Sequence, residues 1–66
     1  MQGVGDELLT EEELARYLKV TVRTVRNWRA EGTGPRPLRA GRGVRYRRRD
    51  VDEWLEREAE RRDRDR

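Results

Sequence analysis

A short stretch of the chain carries side chains that can bond to the edges of nucleic-acid bases. Arg23, Arg26 and Asn27 follow Thr21 closely. An Arg guanidinium can bond bidentately to guanine O6 and N7, and an Asn amide to adenine N6 and N7. Thr21 and the backbone amides of a helix that begins there can hold a phosphate. This pattern predicts base recognition by a helix that presents these side chains outward.

A second group of Arg residues alternates with apolar residues on both sides of Gly41-Arg42-Gly43. Such alternation around Gly is typical of a β-hairpin. We expect a hairpin over residues 37–47, with an apolar face formed by Leu38, Ala40, Val44 and Tyr46. The opposite face is expected to carry Arg39, Arg45 and Arg47, with Arg42 at the tip. Arginines so placed suit contacts to phosphates or to an adjacent minor groove.

Two helices are expected before the hairpin. Thr10 and Glu13 have the spacing of a capping box, and an apolar stripe follows, so the first helix should span residues 11–18. Thr21 is the next cap candidate and Gly32 a C-terminal stop, which predicts a second helix over residues 22–31. Two helices joined by so short a turn are typical of a helix-turn-helix. Val22 has two interpretations, since it can pack inward or contact a thymine methyl.

A third helix should follow the hairpin. Asp50 and Glu53 resemble a capping box, and the apolar residues beyond them predict a helix over residues 51–60. The expected fold is therefore mainly α with a small β-hairpin, a winged helix-turn-helix over residues 8–58. Residues 1–7 are expected to be a flexible N-terminus, and residues 59–66 a charged, frayed tail.

The charges are unevenly distributed along the chain. Residues 21–50 carry ten Arg against Glu31 and Asp50, a balance of +8. The balance is −3 over residues 1–20 and −2 over residues 51–66, within a formal net charge of +3. A basic middle between acidic ends indicates one surface for a polyanion rather than a uniformly basic tail.

Composition narrows the possible functions. Only 32% of the 66 residues are hydrophobic. The hydrophobic core of such a small domain rarely contributes more than roughly 3–5 kcal/mol to the net free energy of unfolding. A deep catalytic pocket is not expected, so we expect no enzyme. The chain has no Cys and no His, which removes disulfides and the usual zinc sites, and no cofactor is expected. No apolar run is long enough for a membrane span, and the lack of Cys fits the cytoplasm.

Each feature also has a plainer interpretation. The Arg residues of the second helix can be a solvated face, and those of the hairpin can protect a sheet edge. Trp28 and Trp54 fit core anchors better than base-stacking platforms, because each lies on an apolar stripe. Disorder of the whole chain is a further alternative at 47% charged residues. The regular apolar spacing and the small net charge oppose it.

Three ordered motifs resemble the excisionase family. They are Leu8-Leu9-Thr10-Glu11-Glu12-Glu13-Leu14-Ala15, Val20-Thr21-x-Arg23-Thr24-Val25-x-x-Trp28, and Arg45-Tyr46-Arg47-x-x-Asp50-Val51-x-x-Trp54-Leu55. Excisionases are winged helix-turn-helix proteins related to the DNA-binding part of mercury-resistance-type regulators. Lys19 stands where that family often has Gly, and Val22 where a polar or cationic residue is common.

The resemblance implies an accessory protein that binds double-stranded DNA and directs a tyrosine integrase toward excision. It implies that the second helix is the recognition helix, with the DNA-contacting residues Thr21, Arg23, Thr24, Arg26 and Asn27. It also implies that the Arg42–Arg47 segment is the wing. We expect a monomer in solution, with side-by-side assembly on DNA as a possibility left open.

Two other functions fit the same residues. A small transcriptional regulator of the mercury-resistance type shares the expected fold and the DNA-binding residues. A protein-interaction module, such as an antitoxin or adaptor, would instead use the acidic ends of the chain. The salt dependence of binding distinguishes the DNA-binding functions from a protein-interaction module, because the affinity of binding driven by phosphate contacts falls steeply as the salt concentration rises.

Overall fold

The computed structural model describes residues 4–64, as three α-helices and a small sheet. Along the chain they are a 3-10 helix Val4–Asp6, β1 (Leu8–Leu9), α1 (Glu11–Leu18), α2 (Val22–Glu31), β2 (Leu38–Ala40), β3 (Gly43–Arg47) and α3 (Arg48–Arg64). The three strands form an antiparallel sheet in the order β1-β3-β2. This arrangement of helices and hairpin is the predicted winged helix-turn-helix.

Both helices of the helix-turn-helix have the predicted bounds, because local signals fix their ends. The Glu13 amide donates to Thr10 Oγ1 at 3.0 Å, and the Thr10 amide donates to Glu13 Oε1 at 2.8 Å, which completes the capping box. At the start of α2 the Thr24 amide donates to Thr21 Oγ1. Gly32 ends α2 at φ 75, a left-handed conformation that Gly adopts without strain.

The turn between α1 and α2 depends on one left-handed residue. Lys19 follows α1 at φ 59, and among the described residues it is the one non-glycine residue with positive φ. Its amide and that of Val20 donate to the Arg16 and Ala15 carbonyls, so the last turn of α1 is closed. The chain can then enter α2 after only a short connection, which is the spacing of a helix-turn-helix.

We predict that Lys19→Gly raises the free energy of unfolding by about 0.5–1 kcal/mol. The left-handed conformation costs a residue with a Cβ roughly 1–2 kcal/mol, and the larger entropy that Gly loses on folding offsets part of the gain. Urea denaturation followed by circular dichroism measures the change. Lys19→Ala is the control, because it removes the same side chain and keeps the Cβ. A Gly variant no more stable than the Ala variant would contradict the prediction.

The hairpin forms as predicted, but its register differs from the expected one. Ala40 pairs with Gly43, so Gly41 and Arg42 alone make the turn, and Gly41 has φ 64. Gly at the first position of a two-residue turn is typical of a type II′ hairpin. The expected separation of Arg39, Arg45 and Arg47 from the apolar residues is therefore wrong. Arg39 lies opposite Val44, and Leu38 lies opposite Arg45, and residues opposite each other share a face.

The segment before α1 contains a strand that the sequence did not predict. Leu8 pairs with Arg47 and Leu9 with Tyr46, which adds the strand β1 to the hairpin. Residues 4–6 form a 3-10 helix, and the expectation of a flexible N-terminus over residues 1–7 stays a prediction. Residues 1–3 lie outside the described part of the chain. The sequence offers only two adjacent Leu for β1, too short a run for alternation to be recognised.

The predicted bounds of α3 are wrong at both ends. The helix begins at Arg48, directly after β3, and the Arg48 amide donates to the Glu7 carbonyl at 2.9 Å. The expected capping box of Asp50 and Glu53 does not start the helix, because Asp50 already lies within its first turn. Asp50 lies in the first turn, where its charge suits the helix dipole. The helix continues to Arg64, which includes residues 59–64 of the expected frayed tail; residues 65–66 of that tail lie outside the described part of the chain. Its last turns contain strong helix formers and an Arg61–Glu58 pair at 2.9 Å.

The core lies where α1, α2, α3 and the sheet meet. Its fully buried side chains come from every one of these elements: Tyr46, Leu14, Val25 and Val51. Leu9 and Ala15 complete the buried cluster. Because this core is small, each member is a large part of the packing that positions α2 and the hairpin.

Candidate nucleic-acid interface

The start of α2 is shaped by two Thr side chains. Thr21 Oγ1 accepts from the Thr24 amide at 3.1 Å, and the two hydroxyls lie 2.9 Å apart in a hydrogen bond. Thr21 is exposed and Thr24 half-buried. Both predicted contact residues therefore already hold the first turn together, and they fix the direction in which α2 leaves the turn.

The outward face of α2 carries the predicted base-contacting side chains. Arg23, Arg26 and Asn27 are exposed. Val22 is half-buried and packs against the core, so the inward interpretation of this residue is the correct one. The amphipathic pattern of α2 therefore presents two guanidinium groups and one amide to solvent from the first two turns, the part of a recognition helix that enters the major groove.

Sequence reasoning missed an acidic contact to this face. Glu11, the first residue of α1, accepts from Arg29 Nε at 2.9 Å and lies 3.5 Å from Arg26 Nε. Arg26 Nη2 is also 3.8 Å from Glu12 Oε2. The Glu11 side chain is only 14% exposed. It lies near Tyr46, whose pKa is raised by burial and further by the Glu11 charge.

The hairpin contributes arginines of two kinds. Arg39 and Arg42 are exposed, whereas Arg45 and Arg47 are half-buried. Arg45 Nη1 donates to the Val44 carbonyl at 2.9 Å, so part of its guanidinium is held against the strand. Exposed Arg39 and Arg42 are thus the hairpin residues most accessible to a phosphate.

The acidic N-terminal segment neutralises part of the basic middle. Four arginines of residues 21–50 form ion pairs with acids of that segment: Arg26, Arg29, Arg48 and Arg49, with Glu11, Glu12, Glu7 and Asp6. The other six make no ion pair within residues 4–64, and they are Arg23, Arg36, Arg39, Arg42, Arg45 and Arg47. The cations left for an outside anion therefore lie on α2, the hairpin and the loop between them.

The two Trp residues, expected as core anchors, are not among the buried residues that form the core. Trp28 and Trp54 are half-buried, with ring centroids 5.2 Å apart and planes inclined by 50°. Trp28 packs against the core, and Gly34 lies close over its ring, where an added Cβ would come within 2.8 Å of Trp28 Cβ. Trp28 therefore anchors the loop that leads from α2 to the hairpin.

Residues 4–64 contain no group of three or more acidic side chains that could hold a metal ion. None of the helices there has the length and apolar character needed to cross a bilayer.

Comparison with known proteins supports a DNA-binding domain. No curated protein matches the chain significantly. A family model described as a helix-turn-helix domain matches residues 8–59, which include α1, α2 and the hairpin. Because this match covers most of the chain, the protein belongs to the helix-turn-helix domain family, a small family of DNA-binding domains.

Proposed function

We propose that the protein binds specific sites on double-stranded DNA and acts by binding, not by catalysis. The observation that carries the proposal is the set of six arginines without an ion pair within residues 4–64, on α2, the hairpin and the loop between them. A helix-turn-helix docks its second helix in the major groove. In this arrangement Arg23 and Asn27 read base edges, while Arg39 and Arg42 contact phosphates or the minor groove.

The proposed cellular role is an accessory factor that directs integrase-mediated recombination toward excision. The three motifs that resemble excisionases support this role, and they lie within the residues that match the helix-turn-helix family. The implied partner is a tyrosine integrase. We propose a protein that is monomeric in solution, acts in the cytoplasm and assembles on DNA.

A small transcriptional regulator is the second candidate. The helix-turn-helix match over residues 8–59 favours it equally, because DNA binding by α2 and the hairpin serves both roles. The two roles differ in the location of the site and in what happens after binding.

Salt dependence tests the DNA-binding proposal directly. We predict that the affinity for a duplex drawn from a random-sequence pool falls as salt rises, with a log–log slope of about −0.9 for each phosphate neutralised. Fluorescence anisotropy at two or more salt concentrations measures this slope. Repeated selection from the same pool should also enrich one sequence. Salt-independent binding, or no binding to duplex DNA, would contradict the proposal and favour a protein-interaction module.

The selected sequence then tests the cellular role. If it occurs at the attachment sites of an integrated element, a plasmid carrying both sites can be incubated with the integrase of that element. Adding the protein should increase the excised product, and Arg23→Ala should reduce this effect. Equal excision with and without the protein would contradict an excision role. A selected site beside a promoter, with a reporter that responds to loss of the gene, would support the regulator.

A further inference from the structure

We propose that Glu11 is a positioning residue that sets the sequence specificity of α2 by holding the guanidinium of Arg26 in one orientation. The inference rests on the proposed function, in which α2 reads the bases of duplex DNA.

Hydrogen bonds of the backbone and the side chain fix the position of Glu11. It is the first residue of α1, directly after the Thr10 cap, whose two bonds with Glu13 fix the backbone there. Hydrogen bonding to the Thr10 amide holds the pKa of the Glu13 carboxyl below its ordinary value. The Glu11 side chain is 14% exposed, and its carboxylate accepts from Arg29 Nε at 2.9 Å. This second bond limits the directions in which the carboxylate can point.

Glu11 bonds one edge of the Arg26 guanidinium, whereas Glu12 lies beyond hydrogen-bond distance on the same side. Nε lies 3.5 Å from Glu11 Oε1, and Nη2 lies 3.8 Å from Glu12 Oε2. The Nε and Nη2 hydrogens project from the same side of the planar group. The Nη1 group has no hydrogen-bond or ion-pair partner within residues 4–64. Arg26 therefore presents its terminal edge to solvent, with a side chain that is 57% exposed.

A guanidinium held in one orientation discriminates between DNA bases better than one that rotates freely. A long flexible Arg can swing from a base to a neighbouring phosphate and gain affinity for any sequence. Anchoring Nε restricts the rotamers of Arg26 before DNA binds. Fewer orientations of the guanidinium can then reach a phosphate in place of a base. The nearby carboxylates also repel phosphates, which weakens binding to every sequence by a similar factor. Glu11 should thus lower the affinity for all DNA and raise the preference for the correct site.

Three variants separate the effect of the position of the Glu11 carboxylate from the effect of its charge. Glu11→Gln removes the charge and weakens the hydrogen bonds to Arg26 and Arg29. Glu11→Asp keeps the charge but shortens the side chain, so that one carboxylate no longer reaches both guanidinium groups. Glu12→Gln removes a charge from the same turn and leaves the Glu11 anchor in place, since Glu12 is 62% exposed and only 3.8 Å from Arg26.

The measurement is binding of each full-length variant to the sequence that the wild-type protein selects from a random duplex pool, and to single-base variants of that sequence. We expect Glu11→Gln and Glu11→Asp to lose preference by about fivefold or more at one base pair, the lower end of what a bidentate Arg contact contributes. Glu12→Gln should bind all sequences more tightly with its preference unchanged. In an Arg26→Ala background, neither Glu11 substitution should change the preference further.

The outcomes distinguish this inference from the proposed function. A wild-type protein that selects no sequence would overturn the proposed function, and the inference with it. A wild-type protein that selects a site, with Glu11 variants that keep the same preference, would overturn the inference alone. A purely structural Glu11 would lower the melting temperature and leave the preference unmoved. If Glu11→Gln fails to fold, the charge-preserving Glu11→Asp gives the same test.

Discussion

Tyr46→Ala is expected to unfold the domain at room temperature. Tyr46 is 1% exposed and has the largest volume among the fully buried side chains. Its strand pairs with β1 on one side and β2 on the other, so the ring lies where the sheet meets the helices. Truncating a buried aromatic residue costs about 3–5 kcal/mol. A domain of this size has a net stability of roughly the same magnitude, so little of the folded state should remain.

Circular dichroism at 222 nm with thermal and urea denaturation measures this effect. Tyr17→Ala is the matched control, because it makes the same truncation at a side chain that is 39% exposed. Tyr17 donates a hydrogen bond to Asp52 and stacks under the Arg48 guanidinium at 4.9 Å. Losing these exposed contacts should cost about 1 kcal/mol, a shift in melting temperature of about 4–8 °C. Two variants of equal stability would mean that the core does not depend on Tyr46.

The ends of α1 and α2 could be predicted because their signals are local. Thr10 with Glu13, Thr21 and Gly32 each act on backbone groups within a few residues, and the structure uses all of them. A side chain that satisfies the first amides of a helix needs no information from the rest of the fold. The general class of fold follows from these two helices and from the alternation around Gly41.

Features that depend on distant residues could not be predicted in the same way. At the start of α3 the Arg48 amide bonds to the Glu7 carbonyl, and no sequence pattern reveals that contact. The hairpin register depends on whether Gly43 belongs to the turn or to the strand. A shift of one residue changes which side chains share a face, so the grouping of Arg39 with Val44 was not foreseen.

In the candidate site, too, local features could be predicted and contacts between distant residues could not. The exposure of Arg23, Arg26 and Asn27 agrees with the amphipathic pattern of α2. Their pairing does not follow from that pattern, because the acid that contacts Arg26 is 15 residues away on another helix. The acidic balance of residues 1–20 was the available signal. It indicated a charge partition, but without the fold it could not say which arginines the acids neutralise.

Arg23→Ala is expected to reduce discrimination between the selected DNA site and a single-base variant by about 1–3 kcal/mol, if Arg23 bonds a guanine bidentately. Arg23 lies in the first turn of α2, is exposed, and has no ion pair within residues 4–64. Its guanidinium therefore has all its donors available, unlike that of Arg26. Competition binding with the two duplexes at one fixed salt concentration measures the difference.

Arg42→Ala is the matched control for this prediction, since it removes the same side chain from the tip of the hairpin, where Arg42 is exposed. A phosphate contact carries no sequence information, so this variant should weaken binding to all duplexes by a similar factor. It should also reduce the magnitude of the salt slope by about 0.9 for the one phosphate lost. Arg23→Ala should change base preference more than overall affinity, because its loss matters most where the correct base is present. If both variants weakened every duplex equally, α2 would be a phosphate-binding element, and the reading of bases would have to be sought elsewhere on the domain.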